Sequence, residues 1–450
     1  MDKKQNRKKL FYLADIMLST AKKLGAEQAD VHVASGDSQS VSIRNQKLEQ
    51  IDKSDGSGIL LRTIIGKKQA SVSTSNIDES SIPELVKRCV DMTNVAPADP
   101  YCGLPEKSLL CNKIPDLNLH DSKKITIKEL ELAAMEAEHS ALSTKGITNS
   151  EASIASHGES VGLLANSHGF AKDYCGTMAS ISCQIISGTN SDMQQDYEYT
   201  SARFWKNLDN PKLVGKLAAE KCLKKMYPKK INSTRCPVIF DPCVGNSLIG
   251  HLASAISGSS VVRKSSFLKD KMNEKIFPDD ITIIDDPLKL EGLASSPFDA
   301  EGVKSQKMNI VENGVLKHWL LDNASAKQLN MVTTGNAAKS GNGLIYPSSS
   351  NLHVQNGKIK KSDLFVDIQK GFYVTELIGF GVNTVTGDYS RGASGFLIEN
   401  GELTTAVNEV TIASNLINMY KDIKIANDLS FKYSKNVPTL LISEMTISGK

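Results

Sequence analysis

Apolar positions recur along this chain with two periods, and the alternation between them sets its organisation. Leu10, Leu13, Met17, Ala21 and Leu24 fall three and four residues apart, the period of an amphipathic helix over residues 3–24 that Gly25 closes. Residues 29–34 (ADVHVA) alternate as a strand does. A turn at SGDSQ then precedes a second strand at 40–44. Further strands are expected at 58–64 and 69–73, with DGSG as a turn before them. A helix follows over about 78–92, capped by Asp78 and carrying Pro83 in its first turns. The same order then returns. Leu130, Ala133, Ala134, Ala137 and Ala141 predict a helix over 126–143. Strands are predicted at 151–156, 161–165, 177–187 and about 196–205, and a helix at 211–226. Between the two units, residues 96–114 hold Pro97, Pro100 and Pro105 without a period and read as a linker or surface excursion. The segments VASGDSQSVSIRN (33–45) and IASHGESVGLLAN (154–166) resemble each other, a weak internal repeat consistent with two helix–sheet–helix lobes.

The pattern changes after residue 230. CPVIF (236–240) is an apolar strand, and Leu248, Ile249, Leu252, Ala255 and Ile256 predict a helix over 247–257. Beyond Gly258 the chain reads as strands and loops, with short helices at 324–329 and 416–419 and a last strand at 439–447. Glu312-Asn313-Gly314 and Glu399-Asn400-Gly401 both carry the Asn-Gly signal of a tight hairpin. The fold class is therefore α+β: helix–antiparallel sheet–helix lobes at 1–95 and 121–230, a linker at 96–120, and a β-rich, barrel-like domain at 231–450. Within that domain, residues 371–402 (GFYVTELIGFGVNTVTGDYSRGASGFLIENGE) concentrate glycine, Thr, Asn and single charges. So polar a loop between apolar strands is either a hydrogen-bonded corner or the floor of a site. Glu376, Asn383, Asp388 and Arg391 are its candidate cleft residues, with an Asp388–Arg391 pair locking the turn as the structural alternative.

Charge and composition narrow the function. The 450 residues carry 23% charged side chains and a formal charge of +3, without the concentrated basic face of a nucleic-acid binder. The basic N-terminus leads into an amphipathic helix, not a signal peptide, and no stretch reaches 18 apolar residues, so a cytoplasmic chain without a membrane span is expected. The eight cysteines form no CxxC pair and none lies beyond Cys243, which argues against a disulfide framework or a zinc ribbon. Sequences for an HExxH zinc helix and a GK[ST] phosphate loop are both absent. His251, flanked by Ser247 and Ser254 on its predicted helix, is a lone imidazole. Cys243 has no identifiable His partner. The Ser-rich run 257–266 (SGSSVVRKSS) reads either as a phosphate or carboxylate holder or as a solvated helix exit.

The segments DPCVGNSLIGHLASAISGSSVVRKSSFL (241–268), DDPLKLEGLASSPFDAEGV (285–303), GVLKHWLLDNASAKQL with TTGNA (314–337), VTELIGFGVNTVTGDYSRGASGFLIENGE (374–402) and TISG (446–449) resemble the TldD/PmbA family, in its PmbA branch, also called TldE. The resemblance covers nearly the whole chain. It implies a cytoplasmic, heterodimeric zinc metalloprotease that trims unfolded or extended peptides, and also a link to DNA gyrase modulation and antitoxin turnover. In the TldD branch a helix after the 236–240 strand carries His-Glu-x-x-x-His, and a late Cys completes the zinc site. Here those positions fall on Gly250, His251 and Ala255, and no Cys follows Cys243. The expectation is thus a subunit with no zinc, no metal ligand and no catalytic residue of its own. Its partner would be a TldD-type zinc subunit, with a homodimer as the state of the chain alone. Glu376, Asn383, Asp388, Arg391 and His251 are its cleft-side candidates. The alternative is a non-catalytic module that binds gyrase or a toxin–antitoxin system, without direct contact to nucleic acid.

Overall fold

The structure, a computed structural model, describes residues 3–189 and 192–449; residues 1, 2 and 450 of the expected end segments lie outside them. The first helical period folds as α1 (Lys3–Lys23), and Gly25, at φ +98°, ends it. There follow β1 (Gln28–Arg44), β2 (Lys47–Ile65), β3 (Lys68–Thr74) and α2 (Ile82–Val95). The second unit comprises α3 (Ile127–Leu142), β4 (Ile147–Asn166), β5 (Ala171–Ser187), β6 (Gln194–Ala202) and α4 (Pro211–Lys224). The six strands form one antiparallel sheet in the order β3-β2-β1-β4-β5-β6.

The turns expected at SGDSQ and DGSG do not occur. β1 and β2 run straight through them, with Gly36 opposite Gly56, and β4 likewise spans the predicted break at 157–160. The reason is tertiary. β1 is paired along both edges, and a Cβ at Gly36 would stand 2.9 Å from the Glu159 carbonyl oxygen, so glycine here permits a close backbone crossing instead of a bend. The helix expected from Asp78 begins instead at Ile82 with Ser81 as its N-cap, after a short 3-10 turn over Glu79–Ser81. The two similar segments of the sequence pair with each other. Gly36 lies opposite Ser160, Ser38 opposite Gly158, and Asp37 opposite Glu159. That register is the one a local two-fold rotation centred on Asp37 and Glu159 produces.

All four helices lie on one face of the sheet. α1 and α2 pack with Val31, Val33, Leu61 and Leu163, while α3 and α4 pack with Val41, Ile43, Ala155 and Ile181 further along the same strands. The other face receives the C-terminal region. Asp30 and Arg62 pair there at 2.5 Å, and Asp30 also accepts from Lys339 at 2.5 Å; Glu301 stands 3.6 Å from Arg62. The expected linker is held against this seam. Leu104, Leu110 and Leu117 are buried, and the Cys111 N–H donates to the Gly302 carbonyl at 2.9 Å.

The C-terminal region begins with β7 (Thr234–Phe240) and α5 (Pro242–Ala255), then a short α6 (Gly258–Val262). α5 starts five residues before the predicted 247, because Asp241 caps it by accepting from the Cys243 N–H and Pro242 occupies its first position. Small strands β8 (Ile283–Asp285), β9 (Met308–Glu312) and β10 (Val315–Leu316) precede α7 (Asn323–Gln328). Then come β11 (Ala337–Lys339), β12 (Ile345–Pro347) and β13 (Leu352–Val354). Long strands follow: β14 (Lys370–Ile378), β15 (Asp388–Glu399) and β16 (Glu402–Asn415). The chain ends with α8 (Leu416–Asp422), β17 (Ile423–Ile425), β18 (Lys435–Asn436) and β19 (Leu440–Ser448). Both Asn-Gly turns form as expected, with φ of 48° and 79° at Asn313 and Gly314 and of 50° and 82° at Asn400 and Gly401. Strands β16-β15-β14-β7-β19 close into a barrel through pairing of β16 with β19, and α5 shares its core through Leu248, Ile249 and Leu252. Among the described residues no helix is long and apolar enough to cross a membrane, and no disulfide joins the cysteines.

Candidate functional site

A cavity of about 840 Å³ lies where the second N-terminal unit meets the barrel. One wall is β6, the last strand of its sheet, which pairs only with β5 among the described residues. Side chains from both of its faces line the cavity: Asp196 and Glu198 toward α4, Tyr197 and Tyr199 on the other side. The cavity therefore wraps a strand edge with no neighbouring strand; its Tyr197 and Tyr199 N–H groups donate to the Asp196 and Glu198 carboxylates at 2.7 and 3.0 Å, bonds that an added extended chain would replace. Tyr197 stacks on Tyr199 at 6.2 Å between ring centroids, and Tyr433 continues the aromatic strip at 5.7 Å from Tyr199.

The acidic groups of this wall are neutralised locally. Lys221 pairs with Glu198 at 2.8 Å; Lys225 pairs with Asp196 at 2.9 Å and reaches across to Glu376 of β14 at 3.0 Å. Burial works against both lysine charges, yet the facing carboxylates raise their pKa values above the ordinary one. At the start of α5, Tyr373 donates to Asp241 at 2.6 Å. Burial opposes the Asp241 charge, but that hydroxyl and the Cys243 N–H hold its carboxyl below the usual range. Cys243, at the same corner, is pushed the other way by burial and then by Asp241. Its thiol stays protonated, the opposite of what a thiolate nucleophile needs.

Beneath α5, the inward side chains of β15 meet the helix. His251 stands edge-on to Tyr389, ring centroids 6.1 Å apart. Burial, and then the Arg391 charge, push His251 down to about 4, so it is neutral at pH 7. Tyr389 is raised by burial, and the nearby Arg391 side chain offsets part of that. The His251 Nε2, Tyr389 Oη, Arg391 Nε and Thr375 Oγ1 atoms are all buried and have no hydrogen-bond partner.

The residues singled out in the sequence separate into two groups. Glu376 and Arg391 line the cavity, and His251 lies behind Arg391. Asn383 and Asp388 do not reach it. The Asn383 carboxamide accepts from the N–H groups of Val385 and Thr386, while Asp388 accepts from Thr386 at 2.6 Å and from Asn415 at 3.1 Å. These bonds hold the Asp388 carboxyl below its usual range. The turn is thus locked by Thr386 and Asn415; no Asp388–Arg391 ion pair forms, because Asp388 caps the exposed turn while Arg391 points under α5. Tyr197, Tyr199, Lys221, Lys225, Tyr373 and Tyr433 went unrecognised in the sequence, being drawn from four separate stretches with no shared motif.

Zinc requires three or four N, S or O donors converging tetrahedrally. Among the described residues no three His, Cys, Asp or Glu side chains converge in this way. The one imidazole of α5 faces a guanidinium, a cation that disfavours a second positive charge beside it.

Comparison with known proteins places these features in a wider set. Models described as PmbA/TldA metallopeptidase domain 1, central domain and C-terminal domain match residues 29–93, 114–226 and 233–449. The chain is 35% identical over 438 residues to Metalloprotease PmbA of Escherichia coli O157:H7, covering 96% of this chain and 95% of that one. It is 36% identical over 449 residues to the Metalloprotease PmbA homolog of Haemophilus influenzae, covering 99% and 97%. Among solved structures it matches a Bacteroides thetaiotaomicron protein described as a candidate modulator of DNA gyrase, with a TM-score of 0.91, 28% identity and full coverage of both chains. TldE of Thermococcus kodakarensis shares the fold, with a TM-score of 0.87 at 21% identity over 97% of this chain and 100% of that one.

Proposed function

Because this chain belongs to the PmbA/TldD metallopeptidase family, in its PmbA branch, we propose that it serves as the non-zinc, TldE-type subunit of a heterodimeric cytoplasmic peptidase. A TldD-type subunit supplies the zinc centre, and this chain supplies a wall of the channel that receives extended peptide. The observation that carries this reading is the unpaired edge of β6 inside an 840 Å³ cavity. An extended peptide adds to such an edge through main-chain hydrogen bonds, which tolerate varied sequence. The tyrosine strip and the alternating charges then grip its side chains. The lack of a converging donor set on α5 supports the assignment of the metal to the partner. Within the cleft, Glu376 is held by Lys225 and shapes the wall.

The test is cleavage of an unfolded peptide by the purified chain, by a zinc-bearing TldD-type subunit, and by the two mixed. Chelator-sensitive cleavage that depends on mixing is expected, with zinc co-eluting only with the partner. Chelator-sensitive cleavage by this chain alone would overturn the reading. A second reading, non-catalytic binding to DNA gyrase, is favoured by the description of the Bacteroides neighbour.

A further inference from the structure

Behind the cavity wall, three buried polar atoms of neighbouring side chains lack protein partners: Arg391 Nε, Tyr389 Oη and His251 Nε2. Such groups are almost always hydrogen-bonded in folded proteins, so three in one neighbourhood mark a place built for more than packing. Three observations give the place a sign. Arg391 is half-buried and lines the cavity, and among the described residues no carboxylate pairs with it. The other charges of the cavity wall are matched: Lys221 with Glu198, Lys225 with Asp196 and Glu376, Lys361 with Asp428 at 3.6 Å, and Asp241 with the Tyr373 hydroxyl. Lys224 also lines the cavity, but it is exposed at the end of α4, where water solvates its charge. Arg391 is thus the shielded cation of the cleft, and Tyr389, 1% exposed, packs behind it.

We propose that Arg391, backed by the Tyr389 hydroxyl, receives a carboxylate of the peptide bound in this cleft, an assignment that rests on the peptide-channel reading above. A guanidinium offers parallel N–H donors that match the two oxygens of a carboxylate, and a shielded site strengthens the pair. Two sources carry that chemistry: the free C-terminus of a peptide, or an Asp or Glu side chain within it.

The experiment measures binding of three fluorescent hexapeptides to the full chain by anisotropy: one with a free C-terminal carboxylate, the same peptide amidated, and the amide with one interior Glu. The free acid is expected to bind about ten-fold tighter than the plain amide, as a charge-assisted bidentate contact implies. Arg391→Gln erases that preference and Arg391→Lys restores part of it. Tyr389→Phe, which removes an unpartnered hydroxyl and keeps the ring, reduces the preference with the fold intact. If the amide with interior Glu matches the free acid, the carboxylate comes from a side chain, and the assignment to Arg391 stands. Equal binding of acid and both amides, or a preference that survives Arg391→Gln, overturns the subsite while leaving the channel. Failure of all three peptides to bind overturns the channel reading and the subsite with it.

Discussion

His251 and Arg391 meet across the seam between α5 and β15, and their proximity makes a measurable acid sensitivity. His251 is held neutral in the fold, with its pKa lowered to about 4 from 6.5, first by burial and then by Arg391; Tyr389 packs against the same ring. The unfolded chain therefore binds more protons between those two values, and folding stability falls as pH drops from about 6.5 to about 4. His251→Asn removes the titration. The stability lost between pH 7 and pH 4.5, read from urea midpoints, should shrink by about 1–2 kcal/mol after allowance for partial solvent screening. An unchanged loss would show that His251 is solvated. Tyr373 poses a second question at this scale. Its hydroxyl donates to the carboxylate that caps α5, so Tyr373→Phe should cost about 1.5–3 kcal/mol, in the range for a hydrogen bond to a charged group. Chemical denaturation would read it, and a cost near zero would mean that water replaces the bond.

Among the elements, the crossing of α3 with α4 depends on a single missing side chain. A Cβ at Gly215 would lie 1.9 Å from the Ala137 carbonyl oxygen, an approach that only glycine permits. Helix propensity favours Ala at an interior position by about 1 kcal/mol. Forcing two packed backbones apart costs about 1–3 kcal/mol or more, so the clash should win. Gly215→Ala is expected to lower the thermal midpoint; a rise would show that the helices separate freely. The same logic explains β1 and β4. Their Gly and Ser residues signal turns in isolation, yet the strands continue because each backbone is paired and closely approached by its neighbours.

At the level of the whole molecule, the seam between the N-terminal sheet and the C-terminal region is ionic as well as apolar. Asp30 is fully enclosed by Arg62 and Lys339, and although burial opposes its charge, those two cations hold its carboxyl below the ordinary range. Asp30→Asn leaves two buried cations with only Glu301 near them. It should cost about 3–5 kcal/mol, the cost typical of breaking a buried pair. The loss should appear in urea denaturation at pH 7 and be accompanied by faster proteolysis in the 96–126 segment that spans the seam. A loss below about 1 kcal/mol would show that apolar contacts alone join the two regions. The cavity depends on that join, since its walls come one from each side.

Local signals in the sequence were enough for α1, α3 and both Asn-Gly hairpins, because periodicity and positive-φ preference act within a few residues. The order of helices and strands and the barrel-like C-terminal region were legible for the same reason. The motif-rich stretch 371–402 pointed to Glu376 and Arg391, both in the cavity wall, and equally to Asn383 and Asp388, which only lock a turn. Sequence could not separate these pairs, since the direction of each side chain follows from the bulge and pairing of β14 with β15. Nor could it show that the two similar N-terminal segments pair with each other, or that Tyr197, Lys225, Tyr373 and Tyr433 converge. Those arrangements are decided by long-range strand pairing and by the docking of the sheet on the barrel, interactions between residues far apart in the chain.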